Sequence, residues 1–420
     1  MPRRRTVVDT HANLAQTLGG LALLLLMLAA LKVFARRSRL PAESWILIAG
    51  LLYGLALRPF PALPILEISP DLVILLLLPA LIFASARELS PRHLKAEAAP
   101  ILLFSTVGVL CTLVLIGLPL YGVTVLPLGD ALLFAAAVAA TDPSAVSAIF
   151  QRFRVPHRLA ALIEGESLFN DGTAILVFFT VASVVTGMNM FSLTDTALAF
   201  GWMMLGAILL GAALGWCAGR LIRYWAVQNQ FPGISITLAL VYGGFLLAEH
   251  LLHVSGVITV VIAAWVFVFQ RRAGTRPLGA PARDSQPEFF VSFWNYVGQL
   301  AGGLLFFALG VTVGRHDFPF TWLIPGSIAI LVLARVLVIY GGSLVLRLAR
   351  HALPISWQHV LVLGGLRGAV SIALLLMLPE DYIYREYMLC LALVLCLYTL
   401  VVHPLLLQAF LNRKPLADPD

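Results

Sequence analysis

The chain has 420 residues, of which 60% are hydrophobic and only 12% charged. Soluble domains carry about 25% charged residues, so this much apolar surface has to face lipid, and a soluble fold is excluded. The net charge of +7 does not point to nucleic acid, because the arginines fall in short connections between apolar runs, where membrane topology puts them.

Thirteen apolar segments approach the roughly 20 residues that cross a bilayer. They cover 14–34, 44–59, 69–87, 98–121, 129–151, 159–186, 194–222, 232–250, 254–270, 290–313, 321–347, 356–378 and 386–411. The N-terminal Pro2-Arg3-Arg4-Arg5, followed by an apolar run, has the outline of a signal peptide. The run continues to Phe34, offers no clear small-residue cleavage site and ends in Lys32, Arg36, Arg37 and Arg39, so it reads as a retained first helix. The longest connection, 270–288, is rich in Pro, Gly and Arg and reads as a flexible linker. The tail after Leu411 is nine residues, and no cytosolic regulatory domain is expected. The four cysteines sit inside apolar runs without metal or disulfide spacing and are assigned no role.

With the N-terminus outside, the inner connections hold 20 basic residues and the outer ones 6. That asymmetry predicts a cytoplasmic C-terminus. The excess of Arg over Lys points to a GC-rich bacterium, and the expected location is a bacterial inner (plasma) membrane. The N-terminal arginine triplet runs against the assignment and is opposed by the basic cluster that follows the first helix.

A charged side chain at mid-bilayer costs at least about 2.5–3.5 kcal/mol, so it faces protein or water and is a functional candidate. Asp142 in helix 5, Asp171 in helix 6, Arg335 in helix 11 and Arg367 in helix 12 share one depth. Secondary transporters place substrate sites near that midplane. Helix 5 reads Thr141-Asp142-Pro143-Ser144. Pro143 breaks the backbone ladder and frees carbonyls beside a carboxylate, including that of Thr141, which makes a hard-oxygen cation site. The plain alternative is a proline kink with Asp142 bonded to nearby amides.

Helix 6 reads Glu164-Gly165-Glu166-Ser167-Leu168-Phe169-Asn170-Asp171-Gly172. Residues four apart share a face, which aligns Ser167 with Asp171 and Glu166 with Asn170. Glu166 and Asp171 lie about 140° apart around the helix. Asp171 with Ser167 therefore forms the ion face, and Glu166 faces another helix. The plain alternative is a structural polar network. In helix 12, three glycines surround Arg367 in Gly364-Gly365-Leu366-Arg367-Gly368. A buried arginine needs a carboxylate: Glu166 is the best free candidate for Arg367, and Glu164 for Arg335. Helices 5 and 12 are each fifth in a six-helix set if helix 7 links the sets, so two interrupted helices fall at matched positions of inverted halves. No phosphate loop, zinc spacing or nucleophile elbow is present, and no cofactor is expected.

Three motifs in order resemble the sodium/proton exchanger family of monovalent cation:proton antiporters, of the NhaP type. They are Thr141-Asp142-Pro143, Glu166-Ser167-Leu168-Phe169-Asn170-Asp171-Gly172 and Gly364-Gly365-Leu366-Arg367-Gly368-Ala369. The resemblance spans roughly residues 14–411. It implies an all-α membrane protein of about thirteen transmembrane helices, with inverted six-helix repeats and interrupted crossing helices 5 and 12. It also implies a dimerisation domain from helices 1–3 (14–97) and 8–10 (232–313), and a mobile core from helices 4–6 (98–186) and 11–13 (321–411), with helix 7 (194–222) as linker. The matches to Asp142 and Asp171 bind the cation, helped by those to Ser167 and the Thr141 carbonyl, with Pro143 shaping the site. The match to Glu166 pairs with that to Arg367. Asn170, rather than an acid, marks the branch that exchanges one cation per proton. Many members carry an acid where Ala84 stands, a departure that bears on cation selectivity.

The expected activity is electroneutral exchange of Na+ (or Li+) for H+ by alternating access, serving pH homeostasis. Burial penalises a charged carboxylate, so protons and cation compete for Asp142 and Asp171. The expected partners are Na+ or another monovalent cation, H+, membrane lipid and a second copy of the chain, with no nucleic acid. The closest rival is a K+/H+ antiporter of the same fold. A cation channel lacks support because no filter-like carbonyl segment repeats, and an intramembrane hydrolase because no serine and histidine share a depth.

Overall fold

A computed structural model describes residues 3–38, 40–60, 72–87, 91–153, 155–185, 193–224, 230–274, 288–315, 322–379, 381–414 and 416. Lipid offers no hydrogen bonds, so an apolar chain satisfies its backbone internally by winding into helices. In order these are α1 (Arg3–Ala35), α2 (Ala42–Leu57), α3 (72–86), α4 (Ala98–Val123), α5 (Leu128–Phe153), α6 (His157–Val185) and α7 (Leu193–Tyr224). There follow α8 (Phe231–Leu252), α9 (Gly256–Gly274), α10 (Glu288–Arg315), α11 (Leu323–Leu348), α12 (Ile355–Leu363 and Ala369–Leu376) and α13 (Arg385–Arg413). No strand occurs among the described residues. Eight of these helices are long and apolar enough to cross a membrane; α1, α2, α3 and α9 contribute shorter apolar stretches. The chain is an integral membrane protein.

The connection expected at 270–288 is partly helical, because α9 runs on to Gly274; residues 275–287 lie outside the described residues. Two helices are broken, as the sequence predicts. Helix α5 stops at Ala139 and restarts at Ser144, and α12 stops at Leu363 and restarts at Ala369. Both gaps are sealed inside the protein: Ala140, Thr141, Leu366 and Arg367 are all buried. Unwound backbone at membrane depth is tolerated only under such cover or against water.

Small residues set the closest packing. Gly50 and Gly54 of α2 meet Gly310 and Gly314 of α10, and a Cβ at Gly50 or Gly310 would come within 2.2 Å of a backbone oxygen on the other helix. Gly211 and Gly215 bring α7 onto α9 in the same way. Both are G-x-x-x-G faces, which let membrane helices approach backbone to backbone. Helix α3 packs on α9 and α10: Trp265 Nε1 donates to the Ala86 carbonyl at 3.0 Å, and the rings of Phe83 and Trp294 lie 4.4 Å apart. Elsewhere α4 packs on α5 and α11, α5 on α6 and α12, and α12 on α13.

Candidate ion-binding site

The two breaks touch. The Asp142 amide in the α5 break donates to the Leu366 carbonyl in the α12 break at 2.9 Å. Each break leaves a half-helix with unsatisfied carbonyls and another with unsatisfied amides, and the motif residues answer these needs.

Asp142 is the cap of the second half of α5. Its Oδ1 accepts from the Ser144 amide at 2.8 Å and from the Ser144 hydroxyl at 2.5 Å. Pro143 immediately precedes the first helical residue, Ser144, at a helix start where a missing N–H costs nothing. The Asp142 side chain also lies against Gly368, the residue before the second half of α12. A Cβ on Gly368 would fall 2.4 Å from that of Asp142, so only glycine leaves room for the carboxylate there. Two helix N-termini thus face one acid.

Arg367 serves the opposite end. Its Nη1 donates to the carbonyls of Ala139 at 2.6 Å and Ala140 at 3.2 Å, which close the first half of α5. Its amide donates to Thr399 Oγ1 of α13 at 3.0 Å. The pairing with Glu166 expected from the sequence is therefore corrected. A broken helix supplies carbonyls and the negative end of its dipole, which hold a cation without a carboxylate.

Glu166 instead belongs to Arg335 of α11. Nη1 meets Oε1 at 2.7 Å and Nη2 meets Oε2 at 2.9 Å, a two-bond pair with both side chains buried. Arg335 Nε and Nη2 also donate to the Leu361 carbonyl, at 3.2 and 2.9 Å, near the end of the first half of α12. Gly365 makes this possible, since a Cβ there would lie 2.5 Å from Arg335 Nε. The expected Glu164–Arg335 partnership is likewise corrected: Glu164 accepts from the Ser147 hydroxyl at 2.8 Å.

The remaining polar groups meet in a cavity between α3 and α10 on one side and α5, α6 and α12 on the other. Its lining includes Thr141, Asp142, Ser144, Glu164, Ser167 and Asp171. Its water-accessible space is about 60 Å³, against the ~10–15 Å³ that one water needs. Asn170 fastens this wall. Its Nδ2 donates to Thr141 Oγ1 at 2.7 Å, and its Oδ1 accepts from the Thr141 amide at 3.3 Å. Thr141 Oγ1 and Ser167 Oγ are hydrogen-bonded at 2.8 Å. Asp171 Oδ1 is buried yet has no hydrogen-bond partner among the described residues. An orphaned carboxylate oxygen inside a membrane protein is costly, and a proton or a small cation would satisfy it. Three carboxylates, those of Asp142, Glu164 and Asp171, and several hydroxyls form a hard-oxygen donor set suited to small cations.

Ala84, the departure noted in the sequence, is buried on α3 and packs against Gly298 of α10, where an added Cβ would lie 2.6 Å from that of Ala84. Its neighbours Leu81, Ile82 and Ser85 line the cavity; Ala84 does not. Sequence reasoning missed Ser144 and Thr399. Ser144 was readable, as the second residue after a capping Asp. Thr399 carried no local signal.

The pattern of the sodium/hydrogen exchanger transmembrane region matches residues 22–413. The Na(+)/H(+) antiporter NhaH of Halobacillus aidingensis is 31% identical over 410 residues, covering 94% of this chain and 98% of the relative. The Na(+)/H(+) antiporter ApNhaP of Aphanothece halophytica is 34% identical over 385 residues, covering 89% and 70%. The structure of the sodium proton antiporter MjNhaP1 from Methanocaldococcus jannaschii superposes with a TM-score of 0.73 at 21% identity, covering 96% of this chain and all of that one, which shows a shared fold. The chain belongs to the sodium/hydrogen exchanger family.

Proposed function

We propose that this protein is a secondary antiporter exchanging Na+, and Li+ in its place, for H+ at Asp142 and Asp171. The observation that carries this is the buried Asp171 oxygen, without a hydrogen-bond partner among the described residues, in a cavity shared with Asp142 where two broken helices cross. Relatives named as Na+/H+ antiporters support the choice of ions.

The chemistry is competition. With no cation bound, a buried carboxylate is neutralised by a proton. A sodium ion arriving from one side is held by the carboxylates and hydroxyls and displaces that proton. Glu166 takes no part, because both of its oxygens are bonded to Arg335. Asn170 adds no charge, which supports one cation per proton and electroneutral exchange.

Alternating access requires one face of the cavity to move against the other. The packing supports the division expected from the family. Helices α1–α3 and α8–α10 hold together, as do α4–α6 and α11–α13, and the cavity lies at the seam. The first group is the stationary, dimer-forming bundle, α7 is the linker, and the second is the moving core. The protein sits in a bacterial plasma membrane with its C-terminus in the cytoplasm, on the arginine-rich side.

The test is dissipation of an imposed pH gradient in proteoliposomes, with lithium, sodium and potassium added in turn. Sodium and lithium collapse the gradient saturably. Activity with potassium alone, or none with any of the three, overturns the assignment.

A further inference from the structure

We infer that Glu43 is a proton-relay residue, passing protons between Asp142 and the arginine-rich face of the membrane; this rests on the exchange reading above. Glu43 lies in the first turn of α2. An acid there is ordinarily a solvated complement to the helix dipole. Here its Oε2 is buried and has no hydrogen-bond partner among the described residues. A second carboxylate with a buried, unbonded oxygen in the same membrane domain is hard to explain by stability.

Its position gives it a task. Glu43 precedes Gly50 and Gly54 by seven and eleven residues, so it shares the helix face pressed on α10. The next residue, Ser44, donates to the Leu400 carbonyl of α13 at 2.5 Å. Arg152, at the far end of α5, donates to the Ser38 carbonyl just before α2 at 3.0 Å. The start of α2 is thus wedged among α5, α10 and α13, between the exposed Arg152 end and the Asp142 end of the second half of α5. That half-helix has 10 residues, about 15 Å of rise, which a proton on Asp142 has to cover.

The charged groups around Glu43 leave it available. Lys32 of α1 and Asp142 of α5 act electrostatically on Glu43, while α10 offers Lys32 the uncharged Gln299. Lys32 interacts electrostatically with Glu43, but its Nζ is bonded to Gln299 Oε1 at 3.0 Å rather than to the acid. Asp142 also lies within electrostatic reach of Glu43.

The step balances without electron transfer. As sodium binds, the Asp142 carboxyl gives its proton through water to the Glu43 carboxylate. The Glu43 carboxyl then releases it to bulk water at the Arg152 end and is a carboxylate again. Uptake runs the same steps in reverse.

The experiment compares two fluxes in proteoliposomes: sodium/proton exchange, and isotopic sodium/sodium exchange, which moves no proton. In Glu43→Gln the relay lowers the first about tenfold or more, the scale of a lost acid–base group, and leaves the second unchanged. Equal loss of both means a structural role and overturns the relay, as does normal sodium/proton exchange. Should the Gln variant not fold, Glu43→Asp carries the test. Retracting the carboxyl by one methylene slows proton-coupled flux several-fold more than sodium/sodium exchange, and an equal effect refutes the idea. Wild-type protein lacking both fluxes would instead contradict the antiport reading itself.

Discussion

Glu166 and Arg335 join α6 to α11 through two parallel hydrogen bonds of 2.7 and 2.9 Å, and Arg335 simultaneously holds the Leu361 carbonyl of α12. One side chain thus fixes three core helices. Breaking a buried pair by removing one partner costs about 3–5 kcal/mol, because the other charge is stranded. Glu166→Gln and Arg335→Met should each lower the melting temperature in detergent. The double variant should lose less than the sum, since no charge is left alone. Arg367→Ala combined with Glu166→Gln should couple more weakly, as Arg367 rests on carbonyls. A double-mutant cycle decides, and strictly additive losses for Glu166 and Arg335 would refute the pair.

Asp142 has two tasks that substitution can separate. It caps a half-helix through Oδ1, and in the proposed mechanism it carries the exchanged charge. Asn caps about as well as Asp, whereas Ala at a cap costs about 0.5–2 kcal/mol. Asp142→Asn should therefore keep the melting temperature near wild type and abolish sodium-dependent proton flux. Asp142→Ala should lose both. Asp171→Asn, which caps nothing, should also fold and be inactive. Normal exchange by either Asn variant contradicts the site.

Asn170 bears on stoichiometry. Its amide bonds Thr141 from both ends, so it is a neutral clamp and adds no further acid beside Asp142, Glu164 and Asp171. One sodium displacing one proton leaves the cavity with the same net charge in both carried states. Exchange should then be indifferent to a potassium-diffusion potential imposed with valinomycin. A rate that rises and falls with the potential would show net charge movement and remove the electroneutral reading.

The sequence revealed the interruptions but not all of the partners. Pro143 and the glycines around Arg367 announce broken helices by local rules. The 140° between Glu166 and Asp171 follows from helical geometry, and the two residues do face different neighbours. What sequence cannot supply is which arginine meets which acid, because that depends on how α6, α11 and α12 stack. The expectation also assumed that only a carboxylate can satisfy a buried arginine. In a protein with broken helices, the severed carbonyls are an equally good partner. The G-x-x-x-G pairs of α2 and α10 were legible motifs whose meaning emerged only once the two helices lay side by side.

Ala84 supplies the last prediction. Family resemblance suggests an acid at this position, and a reader of the sequence would restore it to alter ion preference. The structure argues otherwise. Ala84 is buried against Gly298, where α3 and α10 are in close contact. A glutamate there would force the helices apart and place a charge in an apolar seam; overpacking alone costs about 1–3 kcal/mol, and an unpaired buried charge adds to it. Ser85, one residue on, already lines the cavity. Ala84→Glu should therefore lower yield and melting temperature without creating a new cation preference. Ser85→Asp, which adds a carboxylate facing the cavity, should change the ratio of lithium, sodium and potassium fluxes while the protein stays folded. Flux ratios measured on both variants in the same vesicles settle it: a well-folded Ala84→Glu protein with altered selectivity would show that α3 can turn its Ala84 face to the ion.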